Sequence, residues 1–170
     1  MSIELQLELK YVMNQTRNSF PLTETQKTEA IDYAIKLGAT IDMIVVSDNM
    51  NTAYGNIFGK EILYIGTDVF PKTGTTRSGK TANSRITMRG AIAHELVGHR
   101  RADLVGKTHQ RNTDIGVALD EAQASIRAAR FAIGLTKIER YILLRDAIAR
   151  LKKVGLRIRQ VRSRLWIDEF

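Results

Sequence analysis

The apolar residues of this chain keep two different periods, and the change from one to the other limits the fold more than any single motif. Ile3, Leu5, Leu7 and Leu9 alternate with polar residues, the period of a half-buried strand. Residues 41–46 are rich in β-branched side chains and stop at Asp48-Asn49, and residues 62–69 form a similar run before Pro71. Both read as strands. Between the first and second strands, Thr23 and Gln26 have capping-box spacing. The stripe Ala30, Ile31, Ala34, Ile35 and the stop at Gly38 then predict a helix.

From residue 86 onward the period is helical. It predicts helices over about 86–98, 116–133 and 137–153, with Gly134 ending the second and Thr136/Glu139 capping the third. The tail from Leu156 fits helix or strand equally. Strands early and helices late predict an α+β domain with helices packed on a small, mostly antiparallel or mixed sheet of about three strands. No repeat or linker interrupts the 170 residues, a length that suits one domain, 1–170. Residues 72–84 (KTGTTRSGKTANS) carry almost nothing apolar and predict a surface loop.

The absence of cysteine excludes disulfides, cysteine-ligated metal sites and thiol catalysis. No stretch approaches the roughly 20 apolar residues of a membrane span, and MSIELQLELK lacks the layout of a signal peptide. A soluble chain is expected, cytoplasmic or secreted as part of a larger protein, with no membrane partner. The net charge of +8 is concentrated late: ten basic residues lie between Lys137 and Arg164, against the acids Glu139 and Asp146. Such a surface attracts nucleic acid or an acidic protein, although aromatic residues for base stacking are scarce there. A nucleic-acid-binding protein or nuclease toxin is therefore one alternative function.

The chemistry gathers in His94-Glu95-Leu96-Val97-Gly98-His99. In the zinc signature H-E-x-x-H, four-residue spacing puts two imidazoles on one helix face, and the glutamate beside them activates water. Here the spacing is five. On a regular α-helix four residues advance roughly 40° past a full turn and five advance roughly 140°, so the histidines would diverge. A single-turn π-bulge, with hydrogen bonds from i to i+5, would bring His99 back to the face of His94. Gly98, just before it, is the residue best able to leave α-helical geometry. A third ligand is expected downstream, on the helix that carries Asp120 and Glu121. Its core stripe is Leu119, Ala122, Ile126, Ala129 and Ile133, while Glu121 projects beside Ala118, Ser125 and Ala128, a small-residue face that lets another helix approach. Glu121 could complete a His/His/Glu set with one coordination position open; otherwise it would pair with an arginine such as Arg100 or Arg127.

HELVGH resembles the HELLGH motif of the dipeptidyl peptidase III family of zinc exopeptidases. Asp120-Glu121-Ala122-Gln123-Ala124 is similar in layout to that family's second, EECRAE-like motif. In size and charge the chain is more similar to the small zincin-type domains at the C-termini of bacterial polymorphic toxins and effectors. The likeness covers roughly residues 86–130. It implies a minimal zincin-like fold and a zinc peptidase acting on protein as a toxin or secreted effector, with an acidic immunity or inhibitor protein as partner. It makes His94, His99 and Glu121 the Zn2+ ligands and Glu95 the general base, with Asp120 orienting a histidine.

Two further motifs are weaker. Gly106-Lys107-Thr108-His109 is similar to the tail of the metzincin signature, but six residues separate His99 from Gly106 where that signature has two, so His109 reads as a loop histidine. Gly74 to Thr81 matches the phosphate-binding pattern G-x-x-x-x-G-K-[ST] and makes a P-loop nucleotide-binding protein the other alternative. Such a fold needs further parallel strands, and only helices and the ambiguous tail are expected downstream.

Overall fold

The computed structural model describes residues 17–72 and 81–168. The strand expected at residues 3–9, and all of the phosphate-loop pattern except Thr81, lie outside them. The described part is α+β, as expected: helices packed on a three-stranded mixed sheet.

Helix α1 (Glu24–Lys36) starts at the Thr23/Gln26 capping box and stops at Gly38, whose φ of +93° is the left-handed conformation glycine adopts at no steric cost. Its buried face is Ala30, Tyr33 and Ala34, while Ile35 is largely exposed. The run 41–46 divides: Ile41–Met43 is a 3-10 turn, and only Ile44–Val46 forms strand β1. Strand β3 (Lys60–Ile65) begins two residues earlier than its apolar run and gives way to a 3-10 turn at Thr67–Val69. Between them lies a strand the sequence pattern did not reveal, β2 (Ala53–Ile57). It pairs antiparallel with β3, whereas β1 pairs parallel with β3. Phe58 and Gly59, both at positive φ, close the β2–β3 hairpin in the manner of a type I′ turn. Arg17, itself buried, donates to the carbonyls of Asp68, Val69, Asn83 and Ile86, joining the segment after β3 to the one that leads into the next helix.

That helix changes character part way along. Thr87 caps α2 (Met88–Ala93), a π-helix occupies His94–Arg100, and α3 (Arg101–Leu104) completes the rod. The rod outlasts its expected end at Gly98 because the π-helix carries the chain past the glycine. Helix α4 (Asp114–Phe131) starts two residues before its expected position, at the cap Thr113, and ends two residues early, leaving Ile133 exposed. Helix α5 (Lys137–Lys153) matches its expected bounds and has the Thr136/Glu139 capping box. The tail resolves into a short helix α6 (Ile158–Val161) followed by a 3-10 turn, Arg162–Arg164.

Helix α4 is the axis of the fold. One apolar cluster joins Ala128 and Ala129 to α1, the sheet, α2 and the π-helix. A second joins Leu119, Ala122 and Ile126 to Ala147 and Leu151 of α5 and to the tail residues Val161, Leu165 and Ile167. Enclosed on both sides, α4 can hold charged side chains only where partners meet them. No helix of the described residues is long and apolar enough to cross a membrane.

Candidate metal centre

The π-helix solves the spacing problem of HELVGH. With one additional residue in the turn, His94 and His99 point the same way, and their Nε2 atoms are 3.1 Å apart. The rings meet edge to face at 79°, with centroids 4.8 Å apart. Glu121 of α4 comes to the same point. Its Oε2 is 3.2 Å from His94 Nε2, and its Oε1 is 3.6 Å from His99 Nε2. The close approach depends on small residues. Gly98 of the π-helix lies against Ala124 of α4, and the Glu121 side of that helix continues through the fully buried Ser125 and Ala128.

His94, His99 and Glu121 thus form a group that could hold a metal ion. Tetrahedral zinc binds nitrogen and oxygen at about 2.0–2.2 Å, which sets neighbouring ligand atoms about 3.3–3.6 Å apart. The separations between the two Nε2 atoms and between His94 Nε2 and Oε2 fall just below that range. The 3.6 Å contact to His99 comes from the other oxygen, Oε1, and one ligand atom from each residue places all three within 4.8 Å of one another. The donor set, two imidazoles and a carboxylate, is also the set of a three-ligand site with one position open.

Burial and charge adjust the group. Burial lowers the pKa of His99, with His94 adding to the effect and Glu95, Glu121 and Asp120 opposing it, which favours the neutral imidazole that ligates. Burial alone would raise the pKa of Glu121, but the His94 hydrogen bond and the charges of His94, Arg150 and His99 hold this carboxyl well below the usual range. Asp120 stands where a histidine-orienting carboxylate is expected: its Oδ2 is 3.5 Å from His99 Nδ1, while it also accepts from Arg111 at 2.7 Å and from the His109 backbone at 3.3 Å.

Glu95 points across the cleft to the sheet, where its Oε2 accepts the backbone N–H of Tyr54 at 2.9 Å. Burial pushes its pKa up to about 7, with His99 pulling the other way and Glu121 adding to the rise. It lines the same cleft as the ligand cluster, about 740 Å³, with β2 along one wall and the π-helix and α4 along the other.

Several residues of the site were not evident in the sequence. Tyr54 belongs to β2, whose sequence carries no strand pattern. Arg111 pairs with Glu121 Oε1 at 2.7 Å, and Arg150 of α5 with Oε2 at 3.0 Å. Neither arginine expected to neutralise Glu121 does so: Arg100 pairs with Glu61, and an Arg127 nitrogen donates to the carbonyl of Trp166. Ser125 lies 3.0 Å from His94 Nδ1, and Asp146 lies beyond it. An i, i+4 acid–arginine pair on α5, Asp146 with Arg150, was the one available signal. By composition alone that pair belongs to a solvated basic face. His109 lines the cleft but stacks on Trp166, with centroids 4.9 Å apart, and stands outside the ligand cluster. The basic C-terminal third is also less free than its composition suggests: Arg150 turns into the site, Arg140 donates to the carbonyls of Ala129 and Ala132, and Arg162 pairs with Asp168. After Thr81 the described residues contain no strand.

No family model, curated protein or solved structure matches the chain.

Proposed function

We propose that this chain is a metal-dependent hydrolase, a zinc peptidase whose ligands are His94, His99 and Glu121 and whose general base is Glu95. The observation that carries this reading is the convergence of two imidazoles and a carboxylate, with one ligand atom from each within 4.8 Å of the others, in a cleft that also contains Glu95. A histidine pair serving only a structural role would not need a π-helix to align it, nor a carboxylate from another helix.

When bound, the metal supplies Lewis acidity, polarising a substrate carbonyl and making water more acidic. The chain's own residues do the rest. Glu95, its pKa raised to about 7, can accept a proton from water near neutral pH and return it to the leaving amine. The Tyr54 N–H holds that carboxylate against β2. Strand β2 is an edge of the sheet, beside Glu95 and along the cleft. An extended polypeptide can pair with such an edge through its backbone, which favours a peptide substrate over a small ester or a sugar.

The size of the chain and its charge of +8, similar to those of small zincin-type toxin domains, favour a toxin or secreted effector as the biological setting, neutralised by an acidic immunity protein. The test is cleavage of an unstructured protein such as casein by zinc-loaded protein, beside the Glu95→Gln variant. Cleavage by the wild type that the variant loses supports the reading. Equal cleavage by both, or none by a fully loaded wild type, removes the peptidase assignment.

A further inference from the structure

We infer that Ser125 and Asp146 are positioning residues that fix the His94 imidazole with its proton on Nδ1, leaving Nε2 as the donor atom, and that Arg150 ties this arrangement to Glu121. The inference rests on the metal reading above and concerns residues that neither the motif nor the ligand set includes.

The direction of each hydrogen bond follows from what each group can give. Asp146 Oδ2 receives Arg150 Nε at 2.7 Å and Ser125 Oγ at 2.8 Å. An arginine donates only, so the Asp146 carboxylate accepts there, and it accepts from Ser125 as well. A serine hydroxyl has one proton, and here it is committed to Asp146. Toward His94 Nδ1, 3.0 Å away, Ser125 Oγ can therefore only accept. Nδ1 must carry a hydrogen. Nε2 faces His99 and Glu121: without a metal it can bear a second proton and donate to the Glu121 carboxylate, and in the neutral ring that a metal binds it is the lone-pair nitrogen.

The chain of contacts closes on itself. Arg150 donates through Nε to Asp146 and pairs through Nη1 with Glu121 Oε2 at 3.0 Å. Two candidate ligands from different helices are thus joined through a third, α5, by the path His94–Ser125–Asp146–Arg150–Glu121. Burial supports a dedicated role. Ser125 is 0% exposed and Asp146 is 2% exposed. A carboxylate so enclosed is costly without partners, and both of its partners lead to the metal cluster. Partners of this kind orient the ring of a ligating histidine, and removing one typically weakens metal binding about 10–100-fold.

The experiment uses the whole chain, isotopically labelled in its histidine rings, with zinc as the probe. In zinc-loaded wild type, long-range proton–nitrogen spectra should show His94 carrying its one proton on Nδ1, with Nε2 shifted by the metal. Ser125→Ala should give a mixture of His94 tautomers and a zinc affinity, measured by competition with a chromophoric chelator, about 10–100-fold weaker. Asp146→Asn keeps a similar shape and should move both readouts in the same direction. Because the wild-type spectrum alone reads the tautomer, a variant that fails to fold does not remove the test. A wild type with zinc on His94 Nδ1 would overturn the inference while leaving the metal reading standing. So would a Ser125→Ala protein with unchanged tautomer and affinity. A wild type that takes up no zinc removes the metal reading and the positioning role with it.

Discussion

Gly98 lies directly against Ala124. A Cβ placed on the glycine would stand 2.7 Å from the Cα, the Cβ and the carbonyl oxygen of that alanine. Gly98 therefore permits two things at once: the π-helical turn that aligns His99 with His94, and the contact that brings α4 close enough for Glu121 to reach both.

Gly98→Ala should force the π-helix and α4 apart, since the obstructing atoms include backbone and cannot simply rotate away. Overpacking of this kind costs about 1–3 kcal/mol. Thermal or urea unfolding reads that loss, and zinc affinity should fall with it because Glu121 withdraws from the histidines. A variant as stable as wild type would show that the two helices are not in this contact.

Glu95→Gln should separate binding from chemistry. The glutamate belongs to the cleft but not to the ligand cluster, so the amide should retain zinc at wild-type stoichiometry. Losing a general base typically costs about 10²–10⁴-fold in turnover. Metal analysis and a peptidase assay on the same preparation check both halves.

Glu139 gives the clearest pH dependence away from the site. Burial would raise its pKa, but hydrogen bonds from the Thr136 backbone and from the Thr87 and Thr136 hydroxyls, with Arg89 nearby, leave it below the ordinary glutamate value. Between the two pKa values the native state binds fewer protons than the unfolded chain. The stabilisation is therefore present above the ordinary value, about 4.3, and is lost as pH falls through the folded one. Glu139→Gln should be less stable than wild type by about 1–3 kcal/mol at neutral pH. The difference should shrink as the medium is acidified below about pH 4, followed by urea unfolding at a series of pH values. A difference independent of pH would place the stabilisation in packing alone.

Charge yields a prediction about a partner. If an acidic protein neutralises this chain, its association rate should fall steeply with added salt, because the +8 surface steers the encounter. A neutralising partner that is basic, or whose association rate ignores salt, would remove the charge argument for an acidic partner.

Much of the fold was legible because periodicity and punctuation agreed. Thr23 with Gln26 and Thr136 with Glu139 marked helix starts that the structure reproduces, and Gly38 and Gly134 both take positive φ just past helix ends. The π-helix was legible too, since five-residue spacing in HELVGH leaves few ways to join the two histidines. Strand β2 was not, because Ala53-Tyr54-Gly55-Asn56-Ile57 lacks both alternation and β-branched residues until its end, and pairing with β3 supplies what propensity does not. The arginines around Glu121 were hidden for another reason. Arg111 lies in a loop before α4 and Arg150 far along α5, and only tertiary packing brings them to one carboxylate. Asp146 was hidden likewise: on a helix rich in basic residues it reads as surface charge, yet it is buried beside Ser125.

The proposed chemistry depends on His94, His99 and Glu121 holding one metal ion together. Isothermal titration of the metal-free chain with zinc tests it most directly, run in parallel on His94→Ala, His99→Ala and Glu121→Ala. One zinc per chain is expected for wild type, with much weaker binding in each variant, because each removes one of three protein ligands. Circular dichroism on the same samples establishes that the variants are folded. A folded wild type that retains no zinc, or zinc binding that all three substitutions leave unchanged, would show that these residues form no metal centre.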